Sequence, residues 1–211
     1  MKHEGTLIVV SGFSGAGKGT LMKELVKTYN NYALSVSMTT RNPRPGEVEG
    51  ESYFFVTKEE FEDQIEKNGL LEHACYCENY YGTPRSYVEK QVKQGKDVIL
   101  EIEIQGALKI KEKYPTAVLL FVMPPSAKEL RRRLIGRGTE TVEVIDKRLS
   151  RACEEAEGIE EYDYIIINDK LEECVCQLHE IIRAAHYTIP RNTEFIEKIR
   201  GELKEFAKGE K

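Results

Sequence analysis

The 211-residue chain has no tryptophan, only four methionines and seven prolines, and no apolar run near the roughly eighteen residues of a membrane span. Its start, Met1-Lys2-His3-Glu4, lacks the charged-then-apolar pattern of a secretory signal. These absences predict a cytoplasmic protein with no membrane partner. An excess of basic residues is missing too. Thirty-one lysines and arginines against 36 acids leave a formal net charge of −5, which argues against general nucleic-acid binding. Five cysteines are few and odd in number. Cys75/Cys77 and Cys174/Cys176, near His73 and His179, invite a zinc reading, but paired zinc cysteines are usually separated by two to four residues. Reduced, buried or half-buried thiols account for them better. No internal repeat and no low-complexity linker divides the chain, which is long enough for one good core with inserted lobes.

The most informative stretch is Gly12-Phe13-Ser14-Gly15-Ala16-Gly17-Lys18-Gly19-Thr20. It follows the apolar run Leu7-Ile8-Val9-Val10 and opens a segment with helical spacing at Leu21, Leu25 and Val26. Strand, glycine turn and helix start are the context that marks a phosphate-binding loop. The glycines let several N–H groups face one anion, the helix N-terminus adds partial positive charge, and Lys18 adds a full one. A turn that binds nothing would explain Gly12 and Gly15, but not a lysine beside Gly17 at the mouth of a helix. Gly19 stands where a hydroxyl residue commonly follows the lysine. Thr20 cannot simply replace it, because each helical residue turns by about 100°. Gly-Lys-Gly-Thr is the form found in adenylate kinases, and it leaves a bound magnesium to be held by carboxylates and water as well as by Thr20.

Apolar patterning predicts strands near 6–11, 33–37, 53–56, 98–104, 117–123 and 164–168. Helices are expected near 17–29, 58–68, 85–94, 105–113, 126–135, 142–157 and 170–187. Such alternation makes a parallel sheet covered by helices. The tail repeats Phe195, Ile196, Ile199, Leu203 and Phe206, an amphipathic helix expected to pack back onto the core.

Several polar groups gather around this frame. Glu101 and Glu103 are expected on one face of the 98–104 strand, at the end where ligands of parallel sheets bind. Arg41 and Arg44 flank the proline-stiffened loop Thr39–Gly46, where guanidinium forks suit phosphate oxygens. Residues 128–151 carry eight bases against four acids, a local excess that suggests an anionic partner. Arg137, in a Gly-Arg-Gly loop, is the least easily dismissed as a solvated surface residue.

The order and spacing of the polar positions resemble those of the guanylate kinase family. The resemblance is carried by Val36-Ser37-Met38-Thr39-Thr40-Arg41-x-Pro43-Arg44-x-Gly46-Glu47, Tyr53-x-Phe55, Glu72-x-Ala74 and Asn79-Tyr80-Tyr81-Gly82. Arg137-x-Thr139-Glu140, Lys147-Arg148, Tyr162-Asp163-Tyr164 and Asn168-Asp169 continue it, so that it spans residues 5–187. It implies an α/β fold with a P-loop NTPase-type parallel sheet flanked by helices. The core would comprise 1–34, 98–127 and 158–190, with a GMP-binding lobe at 35–97, a helical lid at 128–157 and a C-terminal amphipathic helix at 191–211. It implies transfer of the γ-phosphate of ATP to GMP or dGMP with Mg²⁺.

Carried over by motif, Ser37, Arg41, Arg44, Tyr53, Glu72, Tyr81 and Thr83 correspond to the GMP site. The loop 12–20 corresponds to the ATP phosphate site, with Asn168 and Asp169 near the adenine. Lys18, Arg44, Arg137 and Arg148 correspond to the charge-neutralising catalytic groups. Glu101 and Glu103 replace a pair that is usually aspartate or mixed, and each is expected to meet either metal-bound water or the guanine. Guanine offers two donors along one edge, which a carboxylate at 72 accepts, whereas adenine offers a lone pair there. Two alternatives remain open on the residues. One is another monophosphate kinase, suggested by Gly-Lys-Gly-Thr but opposed by Ser37 to Thr83. The other is a non-catalytic binding module, opposed by the intact loop.

Overall fold

The computed structural model describes residues 4–76, 78–136 and 141–207. The expectations resting on Cys77, Arg137, Thr139 and Glu140 lie outside the described residues. In chain order the elements are β1 (Leu7–Gly12), α1 (Lys18–Thr28), β2 (Tyr32–Leu34), β3 (Met38–Thr39), β4 (Phe54–Phe55), α2 (Lys58–Glu66), β5 (Leu70–Tyr76), β6 (Asn79–Pro84), α3 (Arg85–Lys93), β7 (Asp97–Glu101), α4 (Ile104–Lys113), β8 (Val118–Met123), α5 (Ala127–Ile135), α6 (Val142–Ala156), β9 (Tyr164–Ile167), α7 (Leu171–Ala185) and α8 (Thr193–Ala207).

The central sheet is all parallel, in the order β2-β7-β1-β8-β9. Because side chains alternate with period two, each strand supplies both faces. Ile8, Val10, Ile99, Leu120 and Val122 pack with Leu21, Met22 and Leu25 of α1 and with Val175, Leu178 and Ile182 of α7. Leu7, Val9, Val98, Leu100 and Leu119 pack on the other side with Val88 of α3 and Ala107 and Ile110 of α4. Burial on both faces is why these strands read as continuous apolar runs. All five strands run the same way, so their C-terminal ends meet along one edge, where the glycine loop follows β1.

A second, four-stranded sheet, ordered β4-β3-β6-β5, mixes parallel and antiparallel pairs. Helix α2 closes one side of it. It starts at a capping box, in which the Thr57 hydroxyl accepts from the Glu60 N–H and the Glu60 carboxylate accepts from the Thr57 N–H. The fully buried Phe61 stacks on Tyr80 with ring centroids 5.4 Å apart. In a third cluster, Leu130 and Leu134 of α5 meet Ile145, Leu149 and Ala152 of α6, with Phe13 of the glycine loop packed against them.

Four expectations are corrected. The 98–104 strand ends at Glu101, and Glu103 is the N-cap residue of α4, so the two glutamates do not share a strand face. The cause lies in the neighbouring strand. Pairing of β1 with β7 ends at Val10 opposite Glu101, and the Ile102 carbonyl is taken by the Ser11 hydroxyl at 2.7 Å. The aromatic, polar stretch 71–82 forms most of β5 and β6, an antiparallel pair that sequence periodicity did not disclose. Helix α8 does not bury its stripe. It has no buried residue, and Phe195, Leu203 and Phe206 are exposed. The thiols were expected to be buried or half-buried, but among the described cysteines only Cys174 is buried, and Cys75, Cys153 and Cys176 are exposed.

Candidate active site

The glycine loop runs from the end of β1 to the first turn of α1. Gly17 caps the helix in a left-handed conformation (φ 91°, ψ 19°), which a residue with a side chain rarely adopts. Lys18 is the first helical residue, and its ammonium curls back over the loop. Nζ donates to the carbonyls of Gly12 at 2.6 Å and Phe13 at 3.3 Å. Ala16 is fully buried, while Gly19 and Thr20 are exposed on α1. The loop therefore forms a cradle with a cation across its mouth.

Glu101 sits at the end of β7, beside the strand that leads into the loop. Its surface is accessible, yet surrounding protein desolvates the carboxyl and raises its pKa, with the nearby Lys18 charge opposing. Glu103 points to α6, where its carboxylate meets Arg151 at 3.3 Å. Arg148, also on α6, donates Nη1 to the Ser14 hydroxyl at 2.8 Å. An arginine of α6 thus already touches the loop.

The residues expected to read a base converge in the second sheet. Glu72, on β5, is only 4% exposed, and its Oε1 accepts the Thr83 hydroxyl of β6 at 2.7 Å. Burial raises the Glu72 pKa, opposed by the Thr83 hydrogen bond and by Lys109 and Lys113 of α4. Tyr53 and Tyr81 lie edge to face, with ring centroids 6.1 Å apart. Burial raises the Tyr53 pKa, and the negative charge of Glu101 adds to the effect, which places this phenol within electrostatic reach of the end of β7.

The proline-stiffened loop is held by a residue that the sequence reading treated only as part of a motif. Glu47 accepts Arg41 Nη2 through both oxygens, at 2.8 and 3.0 Å, and also the Arg44 backbone N–H at 2.7 Å. Arg41 lies over the Tyr53 ring, 5.4 Å from its centroid. Its pKa is raised first by the Glu47 hydrogen bond, and that of Glu47 is lowered by the same bond. The Arg44 side chain is exposed, and Ser37 is half-buried beside β3, its carbonyl accepting from the Phe54 N–H. The Arg41 guanidinium is thus already engaged by Glu47.

Asn168 is buried, with its amide turned onto the Ala16 carbonyl of the loop, whereas Asp169 is exposed. Two residues that no motif flagged stand against the site. Arg133 of α5 reaches the loop backbone, and Gly106 of α4 lies under the Glu72 carboxylate. Neither carries a sequence signal, because an arginine in a basic helix and a glycine inside a helix look ordinary until their neighbours are known.

A model of the guanylate kinase family matches residues 4–185 of the chain. The guanylate kinase of Lactococcus lactis subsp. lactis is 51% identical over 194 residues, which cover 92% of this chain and 95% of that protein. The guanylate kinase of Halalkalibacterium halodurans is 54% identical over 185 residues, 88% of this chain and 91% of that one. Among solved structures, the crystal structure of guanylate kinase from Anaplasma phagocytophilum matches with a TM-score of 0.75 at 37% identity, covering 90% of each chain.

Proposed function

The chain belongs to the guanylate kinase family, and from that premise we propose how its residues divide the work of phosphoryl transfer. The protein is an ATP:GMP phosphotransferase that moves the γ-phosphate of ATP to GMP, giving ADP and GDP. Membership sets aside both alternatives, a kinase for another monophosphate and a non-catalytic module. dGMP presents the same base edge and phosphate and is a substrate on the same grounds. The reaction needs ATP from the cytoplasm, which is where the protein works.

The observation that carries the assignment of roles is the buried Glu72 carboxylate. Thr83 occupies one lone pair of Oε1, and an ionised carboxylate has about four acceptor sites, so capacity remains for both donors of the guanine edge. Arg41, Arg44, Tyr53 and Tyr81, with Ser37 beside them, receive the GMP phosphate. The loop 12–20 receives the ATP phosphates, with Lys18 on the β- and γ-groups, and Asp169 lies toward the adenine.

Phosphoryl transfer requires no covalent enzyme intermediate, so catalysis rests on aligning two nucleotides and spreading charge. Arg44 comes from the lobe and Arg148 from the lid, and the family resemblance gives Arg137 the same charge-neutralising role. Bringing them together over the loop excludes water from the transferring group.

The oxygen donors beside the loop suit Mg²⁺, a hard cation that keeps several waters and binds through one or two carboxylates plus substrate phosphates. Glu101, directly or through water, would hold it, with the Thr20 hydroxyl as a second protein oxygen. Bound there with ATP, Mg²⁺ supplies charge neutralisation at the phosphate oxygens.

The test is ATP-dependent phosphorylation by the purified protein across GMP, dGMP, AMP, CMP and UMP. GDP and dGDP should form with one ADP each, and AMP should turn over far more slowly. Equal rates with AMP and GMP would overturn the base-reading role of Glu72.

A further inference from the structure

The carbonyl oxygen of Ala16, inside the phosphate loop, is gripped from outside by side chains of two other elements. Asn168, just after β9, donates Nδ2 to it at 2.8 Å, and Arg133 of α5 donates Nη1 at 3.3 Å. The remaining nitrogens of the Arg133 fork are also engaged. Nη2 donates to the Asn168 carbonyl at 2.8 Å, and Nε to Glu129 at 2.7 Å. The acceptor is a carbonyl, so the Asn168 amide can only present its NH₂ to it. Asn168 is 6% exposed and Ala16 is fully buried, which keeps water from competing for these bonds.

We propose that Asn168 and Arg133 are positioning residues that fix the direction of the Ala16–Gly17 peptide and so aim the Gly17 N–H at the phosphates of ATP. The peptide is planar and trans, so its N–H points opposite to its C=O. Two donors drawing the oxygen outward therefore turn the hydrogen inward. Without them the unit is free to rotate and present a carbonyl lone pair to the anion, replacing an attraction by a repulsion. Gly17 belongs to the same arrangement. A Cβ there would stand 2.5 Å from Asn168 Nδ2, so only glycine admits the brace as well as the left-handed turn. The inference rests on the phosphate-loop reading and extends it. One of the two braces comes from α5, whose Leu134 packs with α6, so the lid also bears on the orientation of the loop amide.

The test uses Asn168→Ala and Arg133→Met, read by steady-state kinetics and by the backbone ¹⁵N–¹H signal of Gly17 during titration with ADP. Both variants should raise KM for ATP by about tenfold or more while KM for GMP stays within about twofold of wild type, since a displaced binding group loses alignment only at its own substrate. The ADP-induced shift of the Gly17 amide should shrink in both, and Arg133→Lys, which keeps one donor, should recover part of it. Unchanged KM for ATP and an unchanged Gly17 shift overturn the proposal, as does a loss shared equally between ATP and GMP. If Asn168→Ala does not fold, Arg133→Met decides, because its side chain is 22% exposed and its stem is retained. A wild-type Gly17 signal that ignores ADP would instead overturn the phosphate-loop reading beneath.

Discussion

The Glu72 carboxylate and the backbone of Gly106 are packed so closely that a Cβ at 106 would stand 2.7 Å from Glu72 Oε2. Gly106 is in α4, which packs on the central sheet, and Glu72 is in the second sheet, so a helix of one layer serves as the backstop for the buried acid of the other. A glycine inside a helix costs about 1 kcal/mol relative to alanine, and here it leaves room for the Glu72 side chain.

Gly106→Ala should therefore improve helix propensity while displacing Glu72. We expect KM for GMP to rise by about tenfold, in line with small misplacements of positioning groups, and KM for ATP to change little. Steady-state kinetics with each nucleotide varied in turn will show this. An unaltered KM for GMP would mean that Glu72 keeps its place without the contact.

Glu72→Gln keeps the size of the side chain and an acceptor for Thr83, but sets an NH₂ against a guanine donor. The mismatch should cost on the order of 1–3 kcal/mol, tenfold or more in efficiency with GMP, while AMP loses little or gains. Stability should move the other way. Burial raises the folded-state pKa of Glu72, so its ionised form opposes folding at neutral pH, and the neutral amide removes that cost. A variant weaker toward GMP yet higher in Tm at pH 7 is the expected pair of results, from kinetics and calorimetry.

Titration of the same group makes GMP binding pH-dependent. With its pKa raised, Glu72 begins to protonate above the ordinary value of 4.5 as pH falls, and a protonated carboxyl accepts guanine donors poorly. GMP affinity should therefore fall on acidification sooner than an unperturbed glutamate would allow. Glu72→Gln, titrated alongside, reports the ionisation of the GMP phosphate alone. Parallel curves for the two proteins would remove Glu72 from the base site.

Lys18→Ala should abolish transfer and leave the fold intact, because among the described residues the ammonium bonds only to loop carbonyls that can turn to water. Circular dichroism and the coupled assay together separate loss of function from loss of structure. In the wild type, small-angle scattering should show compaction when a bisubstrate analogue brings lobe and lid onto the loop. An unchanged radius of gyration at saturation counts against closure.

Removing residues 193–211 should leave transfer kinetics unchanged and shift Tm by only about a few degrees, since α8 has no buried residue. A collapse of activity would show that the helix has a role beyond its visible contacts.

Much of the architecture was legible because the physics behind it is local. Runs such as Leu7 to Val10 and Val118 to Met123 are apolar throughout because both sheet faces are covered. The turn at Gly12 to Lys18 declares itself through glycine spacing and a lysine at a helix mouth. The strands 70–76 and 79–84 were not legible. Glu72, His73, Tyr80 and Tyr81 mix polar and aromatic residues on both faces, which erases the period-two signal, and pairing across the hairpin supplies what periodicity withheld.

By itself, then, the sequence determined the alternating frame, the phosphate loop and the identities of the charged groups, since these depend on residue type and short spacing. Tertiary structure decided where each group is aimed. The end of β1 pairing cut β7 short and sent Glu103 to Arg151 of α6. Glu47 bound Arg41, α4 backed Glu72 with a glycine, and Asn168 turned to Ala16 across 152 positions of chain. Such contacts depend on distances through space that local spacing does not encode, because only the packed sheet and its helices bring the partners together.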